Sequence, residues 1–339
     1  MGVVTRERHV KRYRAIACFP ETEHATSLHM SPSTLLVASH VGYQLRERRL
    51  VDDIDLTVSR GEVLGLLGVN GAGKTTTLRM IAGVLTPTSG TIRIDGADLS
   101  QQPQMARRRI GYLPERPPLH DELSVAEYLA FCARLRGIRR DTVETAVVDA
   151  LESCDLTEHR RRLIGSLSQG FRQRVGIAQA VVHQPDLVVL DEPAAGLDPV
   201  QALALRELIN ELGKTRAVIL STHLLNDVTA CCDRIAILHH GRLRYASRLD
   251  ALASRDVQRI AVGRDLAMVD WLALPEVVAA EPAPGRHWRV QLSPNADLAA
   301  FASAIVTRGW GMSELRPDHT ALEAIFLDIA LSPARDEAA

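Results

Sequence analysis

Residues Gly68-Val69-Asn70-Gly71-Ala72-Gly73-Lys74-Thr75 read as G-x-x-x-x-G-K-[ST], set between an apolar run and a helix-like segment. The run at 63–67 predicts a buried parallel strand, and 75–83 the helix it feeds. Glycines in such a loop let backbone N–H groups close around phosphate oxygens, and the helix start adds partial positive charge. Asn70, Gly71, Ala72, Gly73 and Thr76 belong to this cradle. Lys74 is suited to reach the β- and γ-phosphates of a nucleotide, and the Thr75 hydroxyl to ligate Mg²⁺. A second apolar run, Leu187-Val188-Val189-Leu190, ends in Asp191 and Glu192. The carboxyl end of a buried strand is where open α/β sheets bind ligands. There Asp191 can hold Mg²⁺, directly or through water, and Glu192 can orient and deprotonate an attacking water. Such a strand end is common alone; beside Lys74 and Thr75 it gains chemical meaning.

The composition suits this chemistry and excludes others. The chain has 339 residues, 46% hydrophobic and 24% charged, which fits one large soluble domain with a smaller one. A net charge of −1 lacks the basic field of a general nucleic-acid binder, and 4% aromatics leave little for base stacking. Lysine occurs only at Lys11, Lys74 and Lys214, so an ammonium stands where phosphate chemistry requires one. The five cysteines show no C-x-x-C spacing, and their odd number suits a reducing compartment. They read as core or helix-face residues, with a redox role for Cys231-Cys232 as the lesser alternative. No stretch approaches the ~20 apolar residues of a membrane helix, and the N-terminus lacks a signal-peptide core. The expectation is a cytosolic chain whose membrane role runs through a partner.

Residues 1–32 are polar and without period, which predicts a disordered extension, with Met30 an alternative start. Short strands are expected at 35–40, 41–45 and 53–58, forming an antiparallel sheet, and a hairpin around Gly90. Helices are expected at 125–137, 141–154, 176–183 and 226–232, and strands at 187–190, 218–221 and 235–238. Alternation of this kind implies an α/β core. Beyond 250 the order is strand 258–262, helix 265–272, strands 277–281 and 287–292, helix 297–308, strand 311–316 and helix 320–331. This predicts a small second α/β unit over 251–332, followed by a tail at 333–339.

Between the two carboxylate and phosphate motifs lies Leu167-Ser168-Gln169-Gly170-Phe171-Arg172-Gln173-Arg174. With it the chain resembles the ATP-binding cassette (ABC) ATPases, whose signature reads L-S-G-G-x-x-Q-R. Ala195-Gly196-Leu197-Asp198 resembles the family's D-loop, and Ser221-Thr222-His223 its switch histidine. Tyr43 stands where the family places an aromatic that stacks on adenine. The resemblance covers about 35–247. It implies an α/β P-loop NTPase core over 33–250, with an antiparallel β subdomain and a helical signature subdomain at about 119–180. It also implies a head-to-tail dimer, homo- or heterodimeric, that sandwiches two ATP molecules. Ser168 and the Gly170 N–H would then meet the γ-phosphate held by the other subunit, His223 would bond the γ-phosphate on its own side, and Asp198 would lie across the interface.

Two positions depart from the pattern. In Gly111-Tyr112-Leu113-Pro114-Glu115 the family's usual glutamine is Glu115, and Gln169 replaces the first signature glycine. An ionised carboxylate only accepts hydrogen bonds, so Glu115 either adds a ligand for Mg²⁺ or is held away from the γ-phosphate by repulsion. The pair of departures is similar to a branch related to gliding-motility, multidrug and copper-site-maturation ATPases. Leu322-Glu323-Ala324-Ile325-Phe326-Leu327 resembles the L-E-x-x-F-L ending of export-type subunits, and as an amphipathic helix it predicts core packing. The resulting expectation is the ATP-hydrolysing subunit of an exporter. It would sit at the cytoplasmic face of the plasma membrane on separate permease subunits, which dock near 119–137. A soluble cassette ATPase acting on DNA or ribosomes is the alternative, and a regulatory nucleotide binder with little turnover is a third, which Glu192 argues against.

Overall fold

The computed structural model describes residues 33–252, 257–283, 287–293, 296–318 and 320–332. The expected extension with Met30 and Cys18, and the expected tail, lie outside them. Thr34–Leu45 (β1) and Arg48–Ser59 (β2) are paired strands; β1 is one continuous element where two were expected. It bends instead of breaking: His40 takes a left-handed φ of 50° and the register shifts between Ser39 and Gly42. Val63–Leu67 (β3) runs through the phosphate loop into Lys74–Ile81 (α1). Ser89–Ile94 (β4) lies antiparallel to β1, and the hairpin turns at Asp95-Gly96 into Ala97–Asp98 (β5), not at Gly90.

Pro103–Arg108 (α2) and Ile110–Leu113 (β6) then lead to three helices, Val125–Leu135 (α3), Val143–Ser153 (α4) and Gln169–Val181 (α5). The α3 helix begins at Val125, where it was expected, because Ser124 and Glu127 form a reciprocal capping box. The α5 helix starts before the expected 176, at the cap Ser168. Leu187–Asp191 (β7) is followed by Pro199–Gly213 (α6), a helix the periodicity did not reveal. Its start was written in Asp198-Pro199, a side-chain cap followed by proline at the first helical position. Ala217–Thr222 (β8), Leu225–Cys231 (α7), Arg234–His239 (β9), Arg242–Arg248 (β10) and Leu249–Leu252 (α8) complete this part.

The central sheet has the order β10-β9-β3-β8-β7-β6, parallel except for β10. Its strands are apolar on both faces because both are covered. Val188, Leu190, Val218, Leu220, Ile235 and Ile237 face a cluster shared with α3 to α7. Their alternate neighbours Leu187, Val189, Ile219, Ala236 and Leu238 face α1, α2 and the β2-β1-β4-β5 sheet. The four described cysteines are free and buried, and burial pushes the Cys231 thiol up to about 12, so the pair is core rather than redox chemistry.

The remaining elements are Val257–Val262 (β11), Met268–Leu272 (α9), Val277–Ala283 (β12), His287–Leu292 (β13), Leu298–Thr307 (α10), Met312–Pro317 (β14) and Thr320–Leu331 (α11). They form a third sheet, β12-β13-β11-β14, with a core of its own around Trp271, Val290, Phe301 and Ile305. The closing helix α11 leaves that core: Leu322, Ile325, Phe326 and Ile329 pack against the cluster under the central sheet.

His183, just after α5, faces the Ile110 carbonyl through Nε2 at 3.1 Å, while its buried Nδ1 has no partner. Burial, reinforced by the Arg136 charge, pushes its pKa down to about 4. A histidine depressed in the fold contributes stability that is full above its unfolded value near 6.5 and is lost as pH falls toward 4. The loss amounts to at most roughly 3 kcal/mol. Thermal unfolding of wild type and His183→Gln between pH 7 and pH 4.5 checks this: the variant is expected to lose less stability on acidification.

Candidate active site

The phosphate loop is shaped by backbone approach. Gly71 and Gly73 have left-handed φ of 82° and 104°, and a Cβ on Gly68 would stand 2.6 Å from the Leu238 carbonyl oxygen. Lys74, only 6% exposed, donates to the Gly68 carbonyl at 2.7 Å and lies 3.3 Å from Glu192 Oε1. His223 Nδ1 is 2.9 Å from Glu192 Oε2. Both oxygens of the expected base therefore already face the two groups expected to bond the γ-phosphate.

Asp191 lies at the end of β7 and is fully buried. Its Oδ1 accepts from the Ser221 hydroxyl at 2.7 Å and from the Thr75 hydroxyl at 3.2 Å. Its Oδ2 is buried with no hydrogen-bond partner. Burial raises the Asp191 pKa; Ser221 and Thr75 counter it, and the negative charges of Glu115 and Glu192 add to it. An orphaned carboxylate oxygen in a field of other carboxylates is the donor set a hard divalent cation takes. Thr75 and Asp191 thus fit Mg²⁺. Glu115 is exposed and bonded to none of the described residues. It follows two residues after Leu113, the last residue of β6 to pair with β7, and its charge is among those that raise the Asp191 pKa.

Several groups that hold the site were not singled out by sequence. Ser221 accepts from the Glu192 N–H at 2.8 Å, fixing a residue whose left-handed φ of 48° no glycine relieves. Buried Asp227 accepts from Thr222 at 3.0 Å and from Arg206, and Thr222 accepts from the Leu224 N–H at 3.0 Å, so the turn that carries His223 is tied down. Gln179 of α5 donates to the Tyr112 carbonyl at 2.9 Å, joining the signature helix to the Glu115 strand. These pairings join distant segments, and only the Ser221-Thr222-His223 motif hinted at them.

The remaining predicted residues form separate groups. Tyr43 is half-buried and lines a polar cleft of about 230 Å³ with Arg49, Val51 and Asp52. Val51 borders the phosphate loop, 3.6 Å from where a Cβ on Gly73 would stand. Ser168 and Asp198 are exposed caps whose hydroxyl and carboxylate accept from the N–H groups of Phe171 and Gln201. A Cβ on Gly170 would meet the Gln201 side chain at 2.9 Å. The signature thus lies against the first turn of α6, the helix that Asp198 caps.

A phosphate loop, a buried carboxylate fitted to a cation and a histidine-paired glutamate at the carboxyl edge of a parallel sheet define a P-loop nucleoside triphosphatase. The ABC transporter family model matches residues 51–195. The chain is 39% identical over 206 residues to NatA, an ABC transporter ATP-binding protein of Bacillus subtilis (strain 168), spanning 60% of this chain and 84% of NatA. It is 36% identical to LptB, the lipopolysaccharide export system ATP-binding protein of Escherichia coli (strain K12), over 69% of this chain and 99% of LptB. A solved ATP-binding subunit of an ABC transporter aligns with a TM-score of 0.58 at 35% identity, over 65% of this chain and 92% of that one. The chain belongs to the ATP-binding subunits of ABC transporters: it binds ATP and couples its hydrolysis to transport. The soluble alternative acting on DNA or ribosomes is thereby set aside.

If Glu192 is the base, Glu192→Gln should cut turnover by ~10²–10⁴-fold while ATP still binds. Steady-state hydrolysis alongside equilibrium binding of ATP checks it; near-normal turnover would remove Glu192 from that role.

Proposed function

We propose that this chain powers an exporter, and that it does so by ATP-driven head-to-tail dimerisation on separate permease subunits at the cytoplasmic face of the plasma membrane. The observation that carries the chemistry is the convergence of Lys74, Thr75, Asp191, Glu192 and His223, with Asp191 Oδ2 left without a partner. Among the described residues no helix is long and apolar enough to cross a membrane, which is consistent with permeases on other chains. That LptB serves an export system supports the direction of transport. In this reading residues 33–250 are the cassette, with its helical subdomain at about 119–180, and 251–332 a second small domain.

In this reading the glycine-loop N–H groups and Lys74 bind the phosphates, and Tyr43 stacks on the adenine. Thr75, Asp191 and Glu115 hold Mg²⁺, which when bound neutralises charge building on the phosphates. Lys74 and His223 leave Glu192 for the γ-phosphate, and the freed carboxylate takes a proton from the attacking water. Exposed Ser168 and Asp198, with Gly170 two residues beyond Ser168, are available to the nucleotide of a second subunit, which supports the dimer. Ser168 offers a hydroxyl and Gly170 an N–H in the first turn of a helix.

Lys74→Ala should lose nucleotide binding and hydrolysis together, whereas Ser168→Ala should leave binding to the monomer intact and weaken ATP-dependent dimerisation. Equilibrium binding and sedimentation of the two variants separate these; an equal loss of monomer binding in both would defeat the cross-subunit arrangement.

Glu115→Gln should retain substantial hydrolysis but need more Mg²⁺, since a neutral amide attracts the cation less than a carboxylate. Titration of Mg²⁺ against ATPase rate, with the permease partner present, decides it: superimposable curves would show that Glu115 is no ligand.

A further inference from the structure

The closing helix α11 reaches the phosphate loop through one side chain. Its apolar face, Leu322, Ile325, Phe326 and Ile329, lies at helical spacing on the cluster that contains Ile235 and Ile237 of β9. His239 is the next residue of β9 on that face and is only 5% exposed. Its Nε2 is 3.0 Å from the carbonyl oxygen of Ser332, at the end of α11. A carbonyl can only accept, so Nε2 carries the proton and donates.

The other side of the same strand end touches the nucleotide site. The Leu238 carbonyl stands where a Cβ on Gly68 would be, within 2.6 Å. The Gly241 N–H donates to the Ala72 carbonyl at 2.9 Å, and a Cβ on Gly73 would lie 3.4 Å from Gly241 Cα. The turn His239-His240-Gly241 is therefore wedged between the end of α11 and the loop that cradles phosphate. His240 and Gly241 both take left-handed φ, 48° and 76°, so the turn is tight.

We propose that His239 is a positioning residue for ATP binding: by tying α11 to the β9–β10 turn, it holds the phosphate loop in its nucleotide-accepting shape. Seating of α11 and binding of nucleotide are then linked, each strengthening the other by the same factor. The inference rests on ATP binding at the phosphate loop, and measurement of wild-type ATP binding tests that separately.

His239→Leu removes the donor and keeps the bulk. It should weaken ATP binding and raise KM by about three- to tenfold, the range for one buried hydrogen bond, with kcat within about twofold. His239→Gln, which can still donate to Ser332, should recover most of the affinity. Phe326→Ala, which loosens the packing of α11 while leaving the sequence of β9 and His239 intact, should weaken binding in the same way. Hydrogen exchange of the amides of 320–331 should slow when a non-hydrolysable ATP analogue is added to wild type, or ATP to Glu192→Gln. Wild-type affinity in both His239→Leu and Phe326→Ala, or exchange in 320–331 that is indifferent to nucleotide, would overturn the proposal. A fall in kcat with KM unchanged would also overturn it.

Discussion

Lys74 holds a positive charge at a place almost closed to water, and much of the site follows from satisfying it. A buried ammonium persists only where acceptors replace its hydration. Here they are the Gly68 carbonyl, from the start of its own loop, and the carboxylate of Glu192, from the end of a strand more than a hundred residues away in sequence. The loop must curl so that Gly68 and Lys74 meet, and left-handed glycines make that possible. Strand β7 must end level with β3, and the intervening β8 sets that level through its paired register with both. Without phosphate the charge stays compensated inside the protein; with phosphate the same cation is available to the ligand at the cost of releasing Glu192. In the proposed reading, binding of phosphate and exposure of Glu192 as the base are thus two outcomes of one exchange of partners.

Asp191 poses the opposite problem. Its carboxylate is buried, two hydroxyls serve one oxygen, and nothing serves the other. Desolvation and neighbouring carboxylates both work against its charge. Such an unserved oxygen fits a cation better than it serves stability, and in the proposed reading Glu115 in place of an amide strengthens that fit.

The parts of the site legible in sequence were those written in contiguous residues: the glycine loop, the apolar run into Asp191-Glu192, and the signature before its helix. What stayed hidden depends on register between distant strands. Nothing local announces that Ser221 would clamp the Glu192 backbone, that Arg206 would reach Asp227, or that Gly241 would support Ala72. The missed α6 helix is a different case, since Asp198-Pro199 carried a start signal that a weakly periodic segment obscured. Conversely, the merged β1 strand shows that one residue in a left-handed conformation can look like a break without being one.

The order of strands in the central sheet has a consequence for how the chain is made. The strand at 63–67 leaves the ribosome early, yet its two neighbours are 217–222 and 234–239. At ordinary elongation rates of roughly 5–20 residues per second, a wholly apolar strand waits on the order of ten seconds for either edge to be covered. During that interval its unpaired edge is a template for other chains. The nucleotide pocket needs Asp191, Glu192 and His223 as well as the loop at 68–75, so it takes shape only once the chain well past its midpoint has emerged.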